Sequence, residues 1–332
     1  MMRRIMVSLM MATALLAMAK GKYGIEMPAP LKAGDVVAIL SPGSTPPDST
    51  VLKAMEVLRG WGLKPVKGKY VNTRYHGWAG TAAQRTEDLM WALRSKEVKA
   101  IICSRGGYGA AQILYNVPID TLKKYNKWLV GYSDITALHS GLVRSGHMSI
   151  HGSMCARLAK TGGNDVFSQR LRRLLFGEAM PDVEAPAHAF NHQGKAKGIL
   201  LGGNLSVFTG VSGSKDYDLL DRDFVKGKDV VLFLEDVGES VNRVASMLFQ
   251  MKLKGTLDHV KGIIVGRFTE VTGLSGYNSM DEMLHEFLDQ YQIPICYDFP
   301  TSHDEAWNSP LIEGCQVELN VAKDKVTLKF KK

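Results

Sequence analysis

Between about Leu31 and Ala159 short apolar runs that lead into turns alternate with stretches of apolar residues at helical spacing. Asp35-Val-Val-Ala-Ile-Leu40 leads into Ser41-Pro42-Gly43-Ser44 and the helical pattern Val51–Gly60. Val98-Lys-Ala-Ile-Ile-Cys103 follows the helical Ala82–Arg94 and runs into Arg105-Gly-Gly-Tyr-Gly109. Trp128-Leu-Val-Gly-Tyr132 is followed at once by the helical pattern Asp134–Val143. Near-continuous apolar runs are what strands covered on both faces require. Strand, turn and helix in repetition predict an N-terminal α/β domain over residues 20–160, with a parallel sheet between helices. In such sheets the chemistry gathers at the carboxyl ends of the strands, and the three turns leave such ends.

A polar stretch, 161–195, carries Pro181 and Pro186 and is the best linker candidate. Beyond it four runs read as strands: Gly198–Asn204, Asp229–Glu235, Lys261–Arg267 and Gln316–Asn320. Helical patterns lie between them at Val241–Lys252 and Met280–Gln290. This predicts a C-terminal mixed α/β, barrel-like domain over residues 196–332, without internal repeat or low-complexity tract.

The first residues carry a different signal. Arg3 and Arg4 precede an apolar run, Ile5 to Met18, that ends in Ala17-Met18-Ala19. A basic start, a short apolar core and small residues before a cut predict a signal peptide over residues 1–19 and a periplasmic or secreted product. The run falls short of the roughly 20 apolar residues that span a bilayer, so no stable membrane insertion is expected after cleavage. An uncleaved anchor is the alternative. The chain holds 41 Lys+Arg against 33 Asp+Glu, but the basic residues are scattered. No basic run is interleaved with aromatics, which excludes a nucleic-acid partner as the first expectation. A mildly basic surface suits an anionic polymer and equally a solvated exterior. The four cysteines have no metal-ligand spacing and are expected to be free and mostly buried.

Gly131-Tyr-Ser-Asp134 lies at a predicted strand-to-helix turn, the setting in which a sharp bend exposes a serine hydroxyl at a helix N-terminus. The free N–H groups and positive dipole end there can stabilise a developing oxyanion. Ser133 could also be a plain helix N-cap. The glycines of Arg105–Gly109 allow close approach of backbone to a ligand, yet no Lys-Ser/Thr follows as a phosphate loop would need. An oxyanion or substrate-carboxylate loop and a plain tight turn are both open. A nucleophile needs a base, and the base an orienting carboxylate. His139 and His147 lie behind Ser133, where packing or solvent is expected. His151 could line a cleft, and His303 sits in a loop after the strand-like Ile295–Phe299. Glu235 closes an apolar run, where a carboxylate needs a partner unless it stands at an edge. Spacing alone does not bring these groups together.

Several motifs, in order, resemble the LD-carboxypeptidase family, which includes the murein tetrapeptide carboxypeptidases. They comprise Leu31-Lys-Ala-Gly-Asp35 with Ser41-Pro42, Ala79-Gly-Thr81 with Arg85 and Asp88-Leu89, and Arg105-Gly-Gly-Tyr-Gly109. Gly131-Tyr-Ser-Asp-Ile-Thr-Ala-Leu-His139, His151-Gly152 and Gly202-Gly-Asn-Leu-Ser206 follow. Leu234-Glu-Asp-Val-Gly-Glu239, Gly266-Arg-Phe268 and His303 ahead of Asn308-Ser-Pro-Leu311 complete the set.

The resemblance implies a Ser–His–Glu triad assembled between two domains, at Ser133, His303 and Glu235. It implies an oxyanion hole from the backbone of Asp134 and Gly107, and substrate contacts from Arg105, Gly106, Asn204 and Arg243. No metal or organic cofactor is implied. The substrate would be a muropeptide, cut to release a terminal D-alanine, and the chain could act alone or as a homodimer. One departure stands at Ser302, where the family usually has glycine. Two other readings remain. One is an amide hydrolase of peptidyl or aminoacyl nucleotides, for which Trp307 could stack on a base. The other is an exported muropeptide-binding protein without activity.

Overall fold

A computed structural model describes residues 23–179 and 181–331, so the expected signal peptide lies outside the described residues. No described helix is long and apolar enough to cross a membrane. Among the described residues thirteen strands form two sheets. The first uses β1 (Val36–Leu40), β2 (Lys64–Lys67), β3 (Val98–Cys103), β4 (Trp128–Gly131) and β5 (Ser149–His151). The second uses β6 (Val183–Pro186), β7 (Gly194–Asn204), β8 (Val230–Val237), β9 (Val260–Thr269) and β10 (Ile295–Cys296). β11 (Leu311–Glu313), β12 (Gln316–Val321) and β13 (Lys325–Phe330) complete the chain.

The first sheet runs β11-β5-β4-β3-β1-β2, parallel from β2 to β5. β1, β3 and β4 are buried almost throughout, as the near-continuous apolar runs require, with Lys99 of β3 the exposed exception. Helices flank the sheet. Asp48–Gly60 turns Val51, Ala54 and Leu58 inward. Ala82–Arg94 starts at a capping box, with Thr81 and Gln84 satisfying each other's backbone N–H. The outer strand, β11, arrives from the C-terminal part of the chain and pairs antiparallel with β5. The chain then crosses to the second sheet through Gly314, whose φ of 80° favours glycine.

The second sheet runs β10-β9-β8-β7-β12-β13-β6. β7 to β10 are parallel, while β12, β13 and β6 are antiparallel. Because β10 and β6 end the strand order and do not pair with each other, the sheet is open, and the barrel-like closure expected from the sequence does not form. Residues 161–195 are also more than a linker. Val166–Leu175 is a helix that buries Phe167, Leu171, Leu174 and Leu175, and β6 joins the sheet. The helix's three arginines, Arg170 and Arg172 half-buried and Arg173 exposed, gave the segment its polar reading.

The two sheets meet tightly at the end of β7. Asn204 N–H donates to Thr136 Oγ1 at 3.1 Å. Gly203, at φ 127°, lies so near that a Cβ there would stand 2.6 Å from the same hydroxyl oxygen. Only glycine lets the backbone approach that helix so closely. One buried apolar cluster continues through both halves, from Ile25 to Cys315.

Candidate active site

β4 ends at Gly131, and the chain turns through Tyr132 into a short 3-10 segment, Ser133–Ile135, before the helix Thr136–Arg144. Ser133 adopts φ 65°, the left-handed region that L-residues enter at a cost of roughly 1–2 kcal/mol. That bend lifts its hydroxyl out of the helix start rather than back onto the helix as a cap. β8 carries Glu235 near its carboxyl end, beside β7 through the Asn204–Glu235 register pair. His303 comes from the loop that follows Phe299, whose N–H is bonded to Val265 O of β9.

These three groups, far apart in sequence, form one hydrogen-bonded line. The Ser133 hydroxyl donates to His303 Nε2 at 2.8 Å, and His303 Nδ1–H donates to Glu235 Oε2 at 2.6 Å. Glu235 is fully buried, and its other oxygen finds no partner among the described residues. Burial alone would push the His303 imidazole down. The charge and hydrogen bond of Glu235 outweigh it, aided by Asp236, and hold the imidazole above its ordinary value. Tyr132 packs edge-on to the His303 ring at 5.2 Å, fixing its plane.

The line opens into a cleft of about 330 Å³ whose lining includes Arg105, Gly106, Gly107, Tyr132, Met154 and Glu305. Gly106 packs against Ser133: a Cβ there would stand 2.9 Å from Ser133 Cβ and 3.2 Å from Asp134 N. Gly107, at φ 87°, passes close against Ser44. Two buried groups hold this loop. Asp134 accepts Ala110 N–H at 2.9 Å; burial raises its carboxyl, against the lowering effect of the Ala110 and Gly109 N–H groups. Arg85 donates to Pro42 O at 2.5 Å, Gly109 O at 2.7 Å and Gln112 Oε1 at 2.5 Å. From the sequence, Asp134 is expected to serve through its backbone, and Arg85 stands out only as part of a motif. Their side-chain roles as loop anchors emerge from the structure.

Other expected site residues fall elsewhere. Asn204 is buried, caps the helix Leu205–Gly210 through Val207 N–H at 3.2 Å, and donates to Asp236 Oδ1 at 2.8 Å. It supports the carboxylate beside Glu235 and does not line the cleft. That neighbour, Asp236, is raised to about 6 by burial and the adjacent Glu235 charge, against its N–H donors. Arg243 is largely exposed, 3.7 Å from Glu239, and is also outside the cleft lining. Arg105 lines the cleft, and no ion pair engages its guanidinium among the described residues. His151 is fully buried, 3.3 Å from Thr301 Oγ1, rather than lining the cleft. His139 is pinned between Ser149 Oγ and Gly131 O, both at 2.9 Å, and burial lowers it to about 4. The Trp307 indole N–H donates to Asp298 O at 3.1 Å and its ring faces Arg267. It borders a separate groove with Phe167 and Pro300, away from Ser133. All four cysteines are free and buried.

Residues 37–152 match the LD-carboxypeptidase N-terminal domain and residues 197–319 its C-terminal domain. A Synechocystis sp. protein named as a carboxypeptidase is 34% identical over 91% of this chain and 96% of its own length. The murein tetrapeptide carboxypeptidase of Pseudomonas aeruginosa is 29% identical over 84% of this chain and 93% of its own. The microcin C7 self-immunity protein of Escherichia coli is 25% identical over 83% of this chain and 88% of its own. Among solved structures, the muramoyltetrapeptide carboxypeptidase from Oxalobacter formigenes superposes with a TM-score of 0.77 at 27% identity, covering 90% of this chain and 99% of that one.

Proposed function

Because this chain belongs to the LD-carboxypeptidase family, we propose that it is a serine carboxypeptidase releasing terminal D-alanine from murein tetrapeptides through Ser133, His303 and Glu235. The single observation that carries the reading is the continuous Ser133–His303–Glu235 hydrogen-bonded line at the mouth of the cleft. His303 takes the Ser133 proton as the hydroxyl attacks the scissile amide carbonyl. Glu235 keeps the imidazole in the tautomer with hydrogen on Nδ1 and stabilises the cation that forms. The backbone N–H groups of Asp134 and Gly107 receive the tetrahedral oxyanion. His303 then protonates the departing D-alanine amine, and water, deprotonated by the same imidazole, releases the acyl-enzyme. Arg105 fits the terminal carboxylate, since a free guanidinium at the cleft edge can bind a carboxylate through two parallel hydrogen bonds. No step calls on a metal or organic cofactor.

The nucleotide-amide reading draws on the similarity to the self-immunity protein, but its feature here, Trp307, has its ring against Arg267 and borders another groove. Export of the mature chain rests on Arg3-Arg4, the apolar run and Ala17-Met18-Ala19. The deciding experiment is incubation with disaccharide tetrapeptide and, in parallel, an aminoacyl sulfamoyl nucleoside. Loss of one alanine by mass from the first, absent with Ser133→Ala, supports the proposal. Cleavage of the second alone overturns it.

A further inference from the structure

Away from the cleft, three metal-ligating side chains converge where a helix meets the β10 edge of the second sheet. His192 is locked to that edge, donating its N–H to Ile295 O at 2.9 Å and accepting Ile295 N–H at 3.1 Å. His285 lies in the helix Met280–Leu288, and Asp289 follows one turn later as its C-cap. That spacing puts both on one helix face. His192 Nε2 stands 3.1 Å from Asp289 Oδ1, and one donor atom from each of the three residues lies within 4.8 Å of the others. The surroundings are aromatic and polar groups without partners. The His285 ring stacks on Phe190 at 4.4 Å, and its Nδ1 is buried with no hydrogen-bond partner among the described residues. Tyr297 Oη and Asn191 Nδ2, from the same ring cluster and its adjoining loop, are likewise buried and unpartnered among them.

We propose that His192, His285 and Asp289 form a zinc-class divalent metal site that clamps this helix to the edge of the second sheet. Two imidazoles and one carboxylate are a borderline-soft donor set, suited to Zn²⁺, whereas Mg²⁺ and Ca²⁺ favour all-oxygen ligands. Tetrahedral bonds of about 2.0–2.1 Å put ligand atoms about 3.4 Å apart. The His192–Asp289 pair already meets that spacing. The other two separations close by at most about 1.4 Å: rotation of Asp289, whose side chain is 66% exposed, serves the one to His285, and a small turn of an imidazole serves the one between the histidines. That exposure also leaves room for water in the fourth position. A bare ion pair would account for His192 and Asp289 but leaves His285 unexplained.

The test uses the full chain, stripped with a chelator and titrated with Zn²⁺ by calorimetry and by thermal unfolding. One equivalent is expected to bind and raise the melting temperature, with no response to Mg²⁺. Asp289→Asn, a change at an exposed position that should not disturb folding, and His285→Ala should each weaken binding at least about tenfold. His303→Ala should leave it unchanged, which separates this site from the triad. No saturable Zn²⁺ binding, binding undiminished in both variants, or binding lost with His303→Ala would overturn the site. None of these results bears on muropeptide hydrolysis, because the three ligands lie outside the cleft.

Discussion

Replacing Glu235 with glutamine keeps the shape of a fully buried side chain and removes its charge. In the wild type the carboxylate lies 2.6 Å from His303 Nδ1 and is the main influence holding that imidazole above its ordinary value, against burial. The proposed reaction creates an imidazolium beside it. At an effective dielectric near 20, unit charges about 4 Å apart attract by ~4 kcal/mol, which corresponds to about a thousandfold in rate. A glutamine can also present its NH₂ to Nδ1 and hold the wrong tautomer, so about a thousandfold is a lower figure for the loss. The pH profile should move as well. His303 acts as a base only when neutral, so wild-type kcat/KM falls as pH drops through its raised pKa in the free enzyme, above ~6.5. Without the carboxylate, burial dominates and lowers the imidazole, so the acid limb of Glu235→Gln should shift to lower pH while the plateau drops. The assay is alanine release from disaccharide tetrapeptide, followed by mass across pH 5–9 with about half-unit steps. A plateau within tenfold of wild type, or an acid limb that stays in place or moves upward, would refute the assigned role of Glu235.

Ser133→Ala and Ser133→Gly should both lack turnover. The glycine variant should be the more stable by about 1 kcal/mol in urea, because φ 65° strains alanine but not glycine; the reverse order would count against the strained bend. Gly106→Ala would set a Cβ 2.9 Å from Ser133 Cβ and 3.1 Å from its Oγ, displacing the serine, so kcat should fall about a hundredfold when measured well below the variant's melting temperature. Unchanged kcat would separate this loop from the nucleophile. Glu313 is fully buried, with neither oxygen hydrogen-bonded among the described residues, and burial raises its carboxyl well above the usual range. Its stability contribution is present below its unfolded pKa and lost as pH rises through the folded one. Glu313→Gln should therefore be more stable than wild type at pH 8, with the gap shrinking toward pH ~4.5. Paired denaturation curves at the two pH values check the sign. Export predicts a mature N-terminus near Lys20, and N-terminal sequencing that finds Met1 on soluble protein would contradict it.

Local pattern was enough for the strands that form the centre of each sheet. β1, β3, β4, β8 and β9 are built on apolar runs largely buried on both faces, interrupted by Lys99 in β3 and by charged residues near the ends of β8 and β9, and burial on both faces is what removes polar alternation from a sequence. The turn at Ser133 was legible for the same reason, since it links one such run directly to a helical pattern. Short or edge elements were not. β2, β5 and β6 span three or four residues, and β6 alternates buried with exposed positions inside a proline-bearing polar stretch. Periodicity needs several residues to be distinguishable from loop, and these have too few. The capping of Asn204 and the pinning of His151 and His139 were also hidden. A polar side chain reads alike in sequence whether it faces a ligand or a buried backbone group.

What the chain's own order determined was the kind of layers and the candidate chemical groups: two α/β units, a serine at a strand-to-helix bend, a carboxylate ending an apolar strand, a histidine in a late loop. Motif resemblance, not spacing, selected that histidine among nine. What only the tertiary structure decided was their distance. Ser133 belongs to the first sheet, Glu235 to the second, and His303 to a loop beyond it, so their meeting depends on how two sheets dock. That docking is set by contacts between distant segments: Gly203 against Thr136, β11 crossing to the first sheet, and one apolar cluster shared by both halves. Such contacts leave no period in the sequence, because each residue's partner lies far away along the chain and only the folded packing brings it near.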